Sequence, residues 1–128
     1  MIGPAQIRVA RPVGDLSAVS AFYRDAVGLT VLSSFEDHDG YSGVIFGLPD
    51  ASRQLELVSG EGAVPAPTAE DQLVLYLRSA DDVAASAARI RAAGFEPAES
   101  PNPYWGRTGA ICFLDPDGYW LVLSPESS

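Results

Sequence analysis

The chain has 128 residues, and its 17 acidic and 8 basic side chains give a formal net charge of −9 at neutral pH. This length suits a single domain with a sizeable core. The basic residues are not clustered, which excludes nucleic acid as an expected partner because phosphate binding needs grouped Lys or Arg. With no signal-peptide pattern and no apolar run of membrane-spanning length, we expect a cytoplasmic protein without a membrane partner.

The first half of the chain predicts a strand, a helix and three more strands. Ile7 and Val9 alternate with Arg8 and Ala10, which predicts a strand over residues 6–12. Asp15 then precedes an apolar pattern of helical period that ends at Gly28, so a helix is predicted over residues 16–27. The remaining strands are predicted over residues 29–35, 43–48 and 54–58, with His38 in the loop between the first two of them.

The second half repeats this order after a Gly- and Pro-rich linker. A strand over residues 73–77 is followed by a helix that begins with Ser79 and Asp82 as a capping box and ends at Gly94. Asp-Pro-Asp-Gly at 115–118 predicts a tight turn joining two strands as a hairpin. The strands of this half are predicted over residues 95–98, 109–114 and 120–123. Cys112, the single cysteine, lies in an apolar run that predicts a buried side chain.

An offset of 66 residues superposes the two halves, which indicates duplication of one supersecondary unit. The matches occur at the helix start, the helix end and the last strand: Asp15 with Asp81, Gly28 with Gly94, Leu55 with Leu121, and Leu57 with Leu123. The prediction is one α+β domain over residues 1–128, built from two tandem βαβββ modules at 6–59 and 71–124 joined by a linker at 60–70. Two such curved sheets would enclose a cleft for a ligand.

Aromatic residues supply the candidate walls of that cleft. Trp105 and Tyr104 follow Pro101 and Pro103 in what reads as a stiff loop, and Gly106 allows a ligand close access. The alternative is that both Trp side chains fill the core or an interface. The full set of candidate ligand-binding residues is Arg8, Tyr41, Phe46, Glu56, Tyr104, Trp105, Arg107 and Trp120.

Several short motifs together resemble those of the vicinal oxygen chelate superfamily, which includes glyoxalases, fosfomycin-resistance transferases, extradiol dioxygenases and bleomycin-resistance proteins. They are the segments at 8–16, 21–25, 28–29, 55–57 and 115–118, and the resemblance spans nearly the whole chain. In the enzymes of that superfamily, a metal is held by side chains from the first and last strand of each half. Carried over by motif spacing, those positions are Arg8, Glu56, Val74 and Val122.

This set of side chains cannot hold a divalent ion, since Arg is a permanently charged donor, Val offers no ligand atom, and only Glu56 can coordinate. We therefore expect no metal and no other cofactor. Arg8 and Glu56 should lie on neighbouring strands and either pair or meet a polar group of a ligand. The alternative is that one or both turn to solvent.

The resemblance to the metal-free, drug-binding branch of the superfamily favours a homodimeric protein that sequesters a hydrophobic aromatic natural product or antibiotic. The alternative is a glyoxalase-like lyase, transferase or dioxygenase in which Glu56 acts as general base. A third possibility is a structural or regulatory dimer with no small ligand.

Overall fold

The computed structural model describes residues 3–126, which form seven strands and a few helices in two compact units that divide between residues 66 and 67. Each unit has its own sheet, so the predicted α+β class with two repeated modules is confirmed. None of the helices in the described part of the chain has the length and apolar character needed to cross a bilayer.

The first unit holds a four-stranded sheet in the order β1-β4-β3-β2. Strands β1 and β4 are parallel, and the other neighbours are antiparallel. The strands are β1 (Ile7–Pro12), β2 (Val31–His38), β3 (Tyr41–Gly47) and β4 (Arg53–Gly60). His38, predicted in a loop, is instead the last residue of β2, and its side chain is largely exposed.

The helix of the first unit covers one face of this sheet. It begins as α1 (Leu16–Ala21), where the Asp15 carboxylate accepts a hydrogen bond from the Ala18 N–H at 3.1 Å. It continues as a π-helical segment over Phe22–Val27 and ends at Gly28, whose φ of 92° is the left-handed conformation that glycine adopts at low cost. The buried residues of the helix and sheet form the apolar core of this unit: Val19, Phe22, Tyr23, Ala26, Phe46, Leu55 and Leu57.

The second unit holds a three-stranded sheet in the order β5-β7-β6. Its elements are β5 (Gln72–Leu77), α2 (Ala80–Ala92), α3 (Pro103–Thr108), β6 (Ile111–Leu114) and β7 (Trp120–Pro125). Ser79 caps α2 by accepting a hydrogen bond from the Asp82 N–H at 3.1 Å. The predicted β6-β7 hairpin is present, and its turn is closed by a hydrogen bond from the Gly118 N–H to the Asp115 carbonyl at 2.9 Å.

Two predictions for the second unit are wrong, and proline accounts for both. No strand forms over residues 95–98, because Pro97 has no N–H to donate to a ladder and Pro101 and Pro103 follow in the same segment. The residues around Trp105 form the short helix α3 instead of a loop. Asn102 caps it by accepting from the Tyr104 N–H at 3.0 Å, and Pro103 occupies the first turn, where its missing N–H is harmless.

The two repeats also differ in strand register. In the first unit Arg8 lies opposite Gln54, whereas in the second unit Val74 lies opposite Val122, so the parallel pairs are offset by 46 and 48 residues respectively. A difference of two residues keeps every side chain on its original face, because side chains alternate with period two.

Candidate ligand-binding site

A cavity of about 420 Å³ lies within the second unit, where the fourth strand of the repeat is missing. One wall is the proline-containing segment from Pro97 to Pro103, and the other is formed by Ala110, Ile111 and Cys112 at β6. A hydrogen bond from the Ala98 N–H to the Cys112 carbonyl, at 2.8 Å, holds the segment beside the strand. The prolines thus replace a sheet ladder with an open space whose volume is in the range of small-molecule sites.

Trp105 projects from α3 to form part of this cavity and is itself largely buried, with 7% of its surface exposed. Its ring belongs to an apolar cluster with Cys112, Trp120 and Val122. The indole Nε1–H donates a hydrogen bond to Gln72 Oε1 at 2.8 Å, which fixes the ring orientation. Trp105 therefore belongs both to the apolar core of this unit and to the lining of the cavity, so the two readings offered by the sequence each hold for this side chain in part.

Gly106 leaves the cavity open beside Trp105. Gly106 is exposed, and a β-carbon placed at this position would have no heavy atom within 4 Å. Glu99 is the one charged residue in the lining, and no cationic side chain borders the space. Burial raises the pKa of the Cys112 thiol, which keeps this group protonated and apolar near neutral pH. The lining therefore favours an uncharged or cationic aromatic molecule over an anion.

In the first unit, Arg8 and Glu56 form the pair expected from the sequence. Arg8 Nη1 lies 3.5 Å from Glu56 Oε1, and Arg8 Nε donates to Gln54 Oε1 at 2.8 Å. Gln54 in turn donates to Gln6 Oε1 at 2.9 Å. Arg8 thus contacts two neighbours on β4, and its guanidinium forms an ion pair with the Glu56 carboxylate, whose side chain is 16% exposed.

The positions that correspond to metal ligands in the family enzymes do not fit a metal here. Val122 is fully buried in the apolar cluster with Trp105, and Val74 packs against the same cluster. Glu56 is engaged by the Arg8 guanidinium. Across residues 3–126, no three His, Cys, Asp or Glu side chains are grouped closely enough to hold an ion. Val74 and Val122 offer no oxygen or nitrogen ligand to a divalent ion, and the Glu56 carboxylate is paired with a cation.

The other predicted site residues differ in their distance from the cavity and in their exposure. Tyr104 is half-exposed and its ring meets that of Trp105 edge-on at 5.0 Å, while Trp120 is buried in the same cluster. Arg107 is exposed in the last turn of α3 and Tyr41 is 46% exposed at the start of β3. Phe46 is fully buried against Tyr23 in the core of the first unit, so its assignment as a ligand-facing wall is wrong.

Sequence reasoning missed Gln72, Cys112 and the 97–103 segment as parts of the site. For Gln72 a signal was present, since it lies 66 residues after Gln6 and both side chains accept a hydrogen bond from a neighbour. For the segment, the spacing of three prolines was incompatible with the predicted strand. Cys112 lines the cavity only because the 97–103 segment does not pair with β6 as a strand. That arrangement is set by tertiary packing and leaves no local pattern around Cys112.

Comparison with known proteins gives consistent relatives over the whole chain. The YycE-like N-terminal domain family matches residues 7–58 and the YycE-like C-terminal domain family matches residues 70–125. The YycE protein of Bacillus subtilis (strain 168), of unknown function, is 40% identical over 121 residues, covering 93% of this chain and 86% of its own. Its crystal structure superposes with a TM-score of 0.89 at 37% identity, covering 97% and 91% of the two chains.

Two further solved structures share the fold. TnmS3, an antibiotic binding protein from Streptomyces sp. CB03234, has a TM-score of 0.69 at 27% identity, with 98% of each chain covered. The fosfomycin resistance protein FosX from Listeria monocytogenes, in complex with Mn(II) and a dihydroxypropylphosphonic acid, has a TM-score of 0.71 at 20% identity, covering 99% and 95% of the two chains.

Proposed function

Because this chain belongs to the YycE-like family of the vicinal oxygen chelate superfamily, we propose that it is a metal-independent binding protein that sequesters a hydrophobic aromatic natural product or antibiotic. The chain is glyoxalase- and fosfomycin-resistance-like in its fold. The observation that carries the proposal is the 420 Å³ cavity beside Trp105, with its mainly apolar lining. Such a cavity binds by burial of apolar surface, at about 25 cal/mol per Å², and by contact with the indole.

The charges in the cavity lining favour an uncharged aromatic ligand over an anion such as the phosphonic acid in the FosX complex. A phosphonate needs cationic side chains or a metal ion, whereas the lining here contains Glu99 and no cation. Catalysis by Glu56 receives no support either, because its carboxylate is already engaged by Arg8, which would compete with a substrate for the same oxygen. The likeness to an antibiotic binding protein at 27% identity is in keeping with a sequestering role.

The test is a fluorescence titration with 1-aminoanthracene, a flat, uncharged probe whose emission rises in apolar sites. We expect saturable binding with one site per chain in the wild type. Gly106→Leu should weaken binding at least tenfold, because Gly106 lines the cavity and a larger side chain at this position takes up space beside the ligand. The fold should be retained, since an added β-carbon meets no heavy atom within 4 Å and Leu is the better helix former by about 1 kcal/mol.

Gly3→Leu is the matched control, because a β-carbon at Gly3 also meets open space and this residue lies outside the cavity lining. It should bind as the wild type does, and circular dichroism should show both variants folded. Equal affinity in the wild type and folded Gly106→Leu, or an absence of saturable binding, would rule out the proposed function.

A further inference from the structure

The outer edge of β6 differs from its counterpart in the first unit. There, β3 is paired on both sides, with β4 and with β2. In the second unit, β6 pairs with β7 on one side, and its other side faces the 97–103 segment, which forms no ladder. Ile111 and Cys112 of β6 line the cavity on that side, where the first unit has a neighbouring strand.

Cys112 presents a hydrogen-bond donor at this edge. Its carbonyl accepts from the Ala98 N–H at 2.8 Å, so the backbone of Cys112 faces the segment and not β7. In an antiparallel sheet, the N–H and C=O of one residue point to the same neighbour, and a full pair would return a bond from Cys112 N–H to the Ala98 carbonyl. Ala98 belongs to no strand pair in this structure, so the return bond of a ladder is not formed.

We propose that the cavity selects an uncharged polycyclic aromatic ketone, whose carbonyl oxygen accepts a hydrogen bond from the Cys112 N–H while its ring lies against Trp105. This inference rests on the proposed function and names the ligand class for the same site. The Trp105 Nε1–H is already bonded to Gln72 and the Cys112 carbonyl to Ala98, so a ligand carbonyl supplies the acceptor that the Cys112 N–H needs. The side chains of Ser100 and Asn102 in the lining offer further hydrogen bonds to the same ligand. Glu99, the charged residue of the lining, opposes an anionic acceptor such as a carboxylate.

The test compares 9-fluorenone with fluorene, two flat tricyclic compounds that differ by one carbonyl group. Fluorene is the more hydrophobic, so burial alone would make it the tighter ligand. A hydrogen bond to the Cys112 N–H should shift the ratio of the two affinities roughly fivefold toward 9-fluorenone relative to burial alone, the effect of a typical net hydrogen bond, and so offset or reverse this order. In 15N-labelled protein, the Cys112 amide proton should move downfield with 9-fluorenone and stay in place with fluorene.

The outcomes separate this inference from the proposed function. In one outcome, both compounds bind and both lose affinity in Gly106→Leu, but fluorene binds as tightly as 9-fluorenone or more tightly, and the Cys112 amide does not shift. The ketone assignment is then overturned and the binding function stands. If neither compound binds, or both bind Gly106→Leu as well as the wild type, the cavity is not the site and both proposals fail. Tighter binding of 9-fluorenone together with the amide shift supports both.

Discussion

Replacing Trp105 by Ala should lower both the stability of the protein and its affinity for aromatic ligands. The indole is 7% exposed and packs with Cys112, Trp120 and Val122. Deleting a buried Trp side chain typically costs about 3 to 5 kcal/mol, through lost transfer free energy and the cavity left behind. Gln72 is half-buried, so it can recover part of its lost hydrogen bond from water, and we expect a value within that range.

Urea unfolding followed by far-UV circular dichroism measures this loss. A fall of about 3 to 5 kcal/mol is a large part of a typical total of about 5 to 15 kcal/mol, and corresponds to roughly 10 to 20 °C in Tm for a chain of this size. Trp105→Phe keeps one ring and removes the Nε1–H, and it should cost less. The folded fraction of Trp105→Ala, measured at low temperature, should bind 1-aminoanthracene at least tenfold more weakly than the wild type.

A loss of less than about 1 kcal/mol in Trp105→Ala would refute the packing described for the indole. A destabilised variant that retains wild-type affinity would refute its place at the cavity. Gln72→Leu tests the hydrogen bond of the indole separately, because it leaves the indole N–H without its partner at a cost of about 1 to 3 kcal/mol. Adding Trp105→Phe removes that N–H and should cancel part of the cost.

Three further predictions concern other parts of the chain. Arg8→Met should lower the unfolding free energy by about 1 to 2 kcal/mol because it leaves Glu56 partly buried without its cation, and adding Glu56→Gln should restore part of this; additive effects in urea unfolding would contradict the pairing. The raised pKa of Cys112 means that the folded state holds its proton more tightly than the unfolded state, so stability should fall as pH rises above the ordinary value of 9.0. Cys112→Ser should remove that part of the fall, and an unchanged pH profile would argue against burial of the thiol. The chain should sediment as a homodimer, and a mass near 13.5 kDa at micromolar concentration would refute this.

The fold was largely predictable from local patterns, and the candidate site was predictable only in part. Asp15 and Ser79 cap their helices as expected, because a capping side chain and its backbone partner lie three residues apart in sequence. The pairing of Arg8 with Glu56 followed from the family resemblance, which places the two residues on neighbouring strands of the first half.

The departures have long-range causes. The 95–98 segment could form a strand only by pairing with β6, which lies more than ten residues further along the chain. The prolines prevent that pairing. The burial of Trp105 depends on Gln72, which is 33 residues away, and on a helix too short to show a period. Phe46 was assigned to the wrong face because its apolar run has no polar residue to mark the side that faces the core.

The most direct test of metal-independent binding is native mass spectrometry of chelator-treated protein mixed with 1-aminoanthracene, with metal content measured on the same sample. Metal-independent binding predicts one probe molecule per chain, at unchanged occupancy after chelation, with far less than one Zn, Ni, Mn or Fe per chain, and loss of the bound probe in Gly106→Leu. A chain that retains one of these metals, or that binds the probe only after the metal is restored, would contradict it.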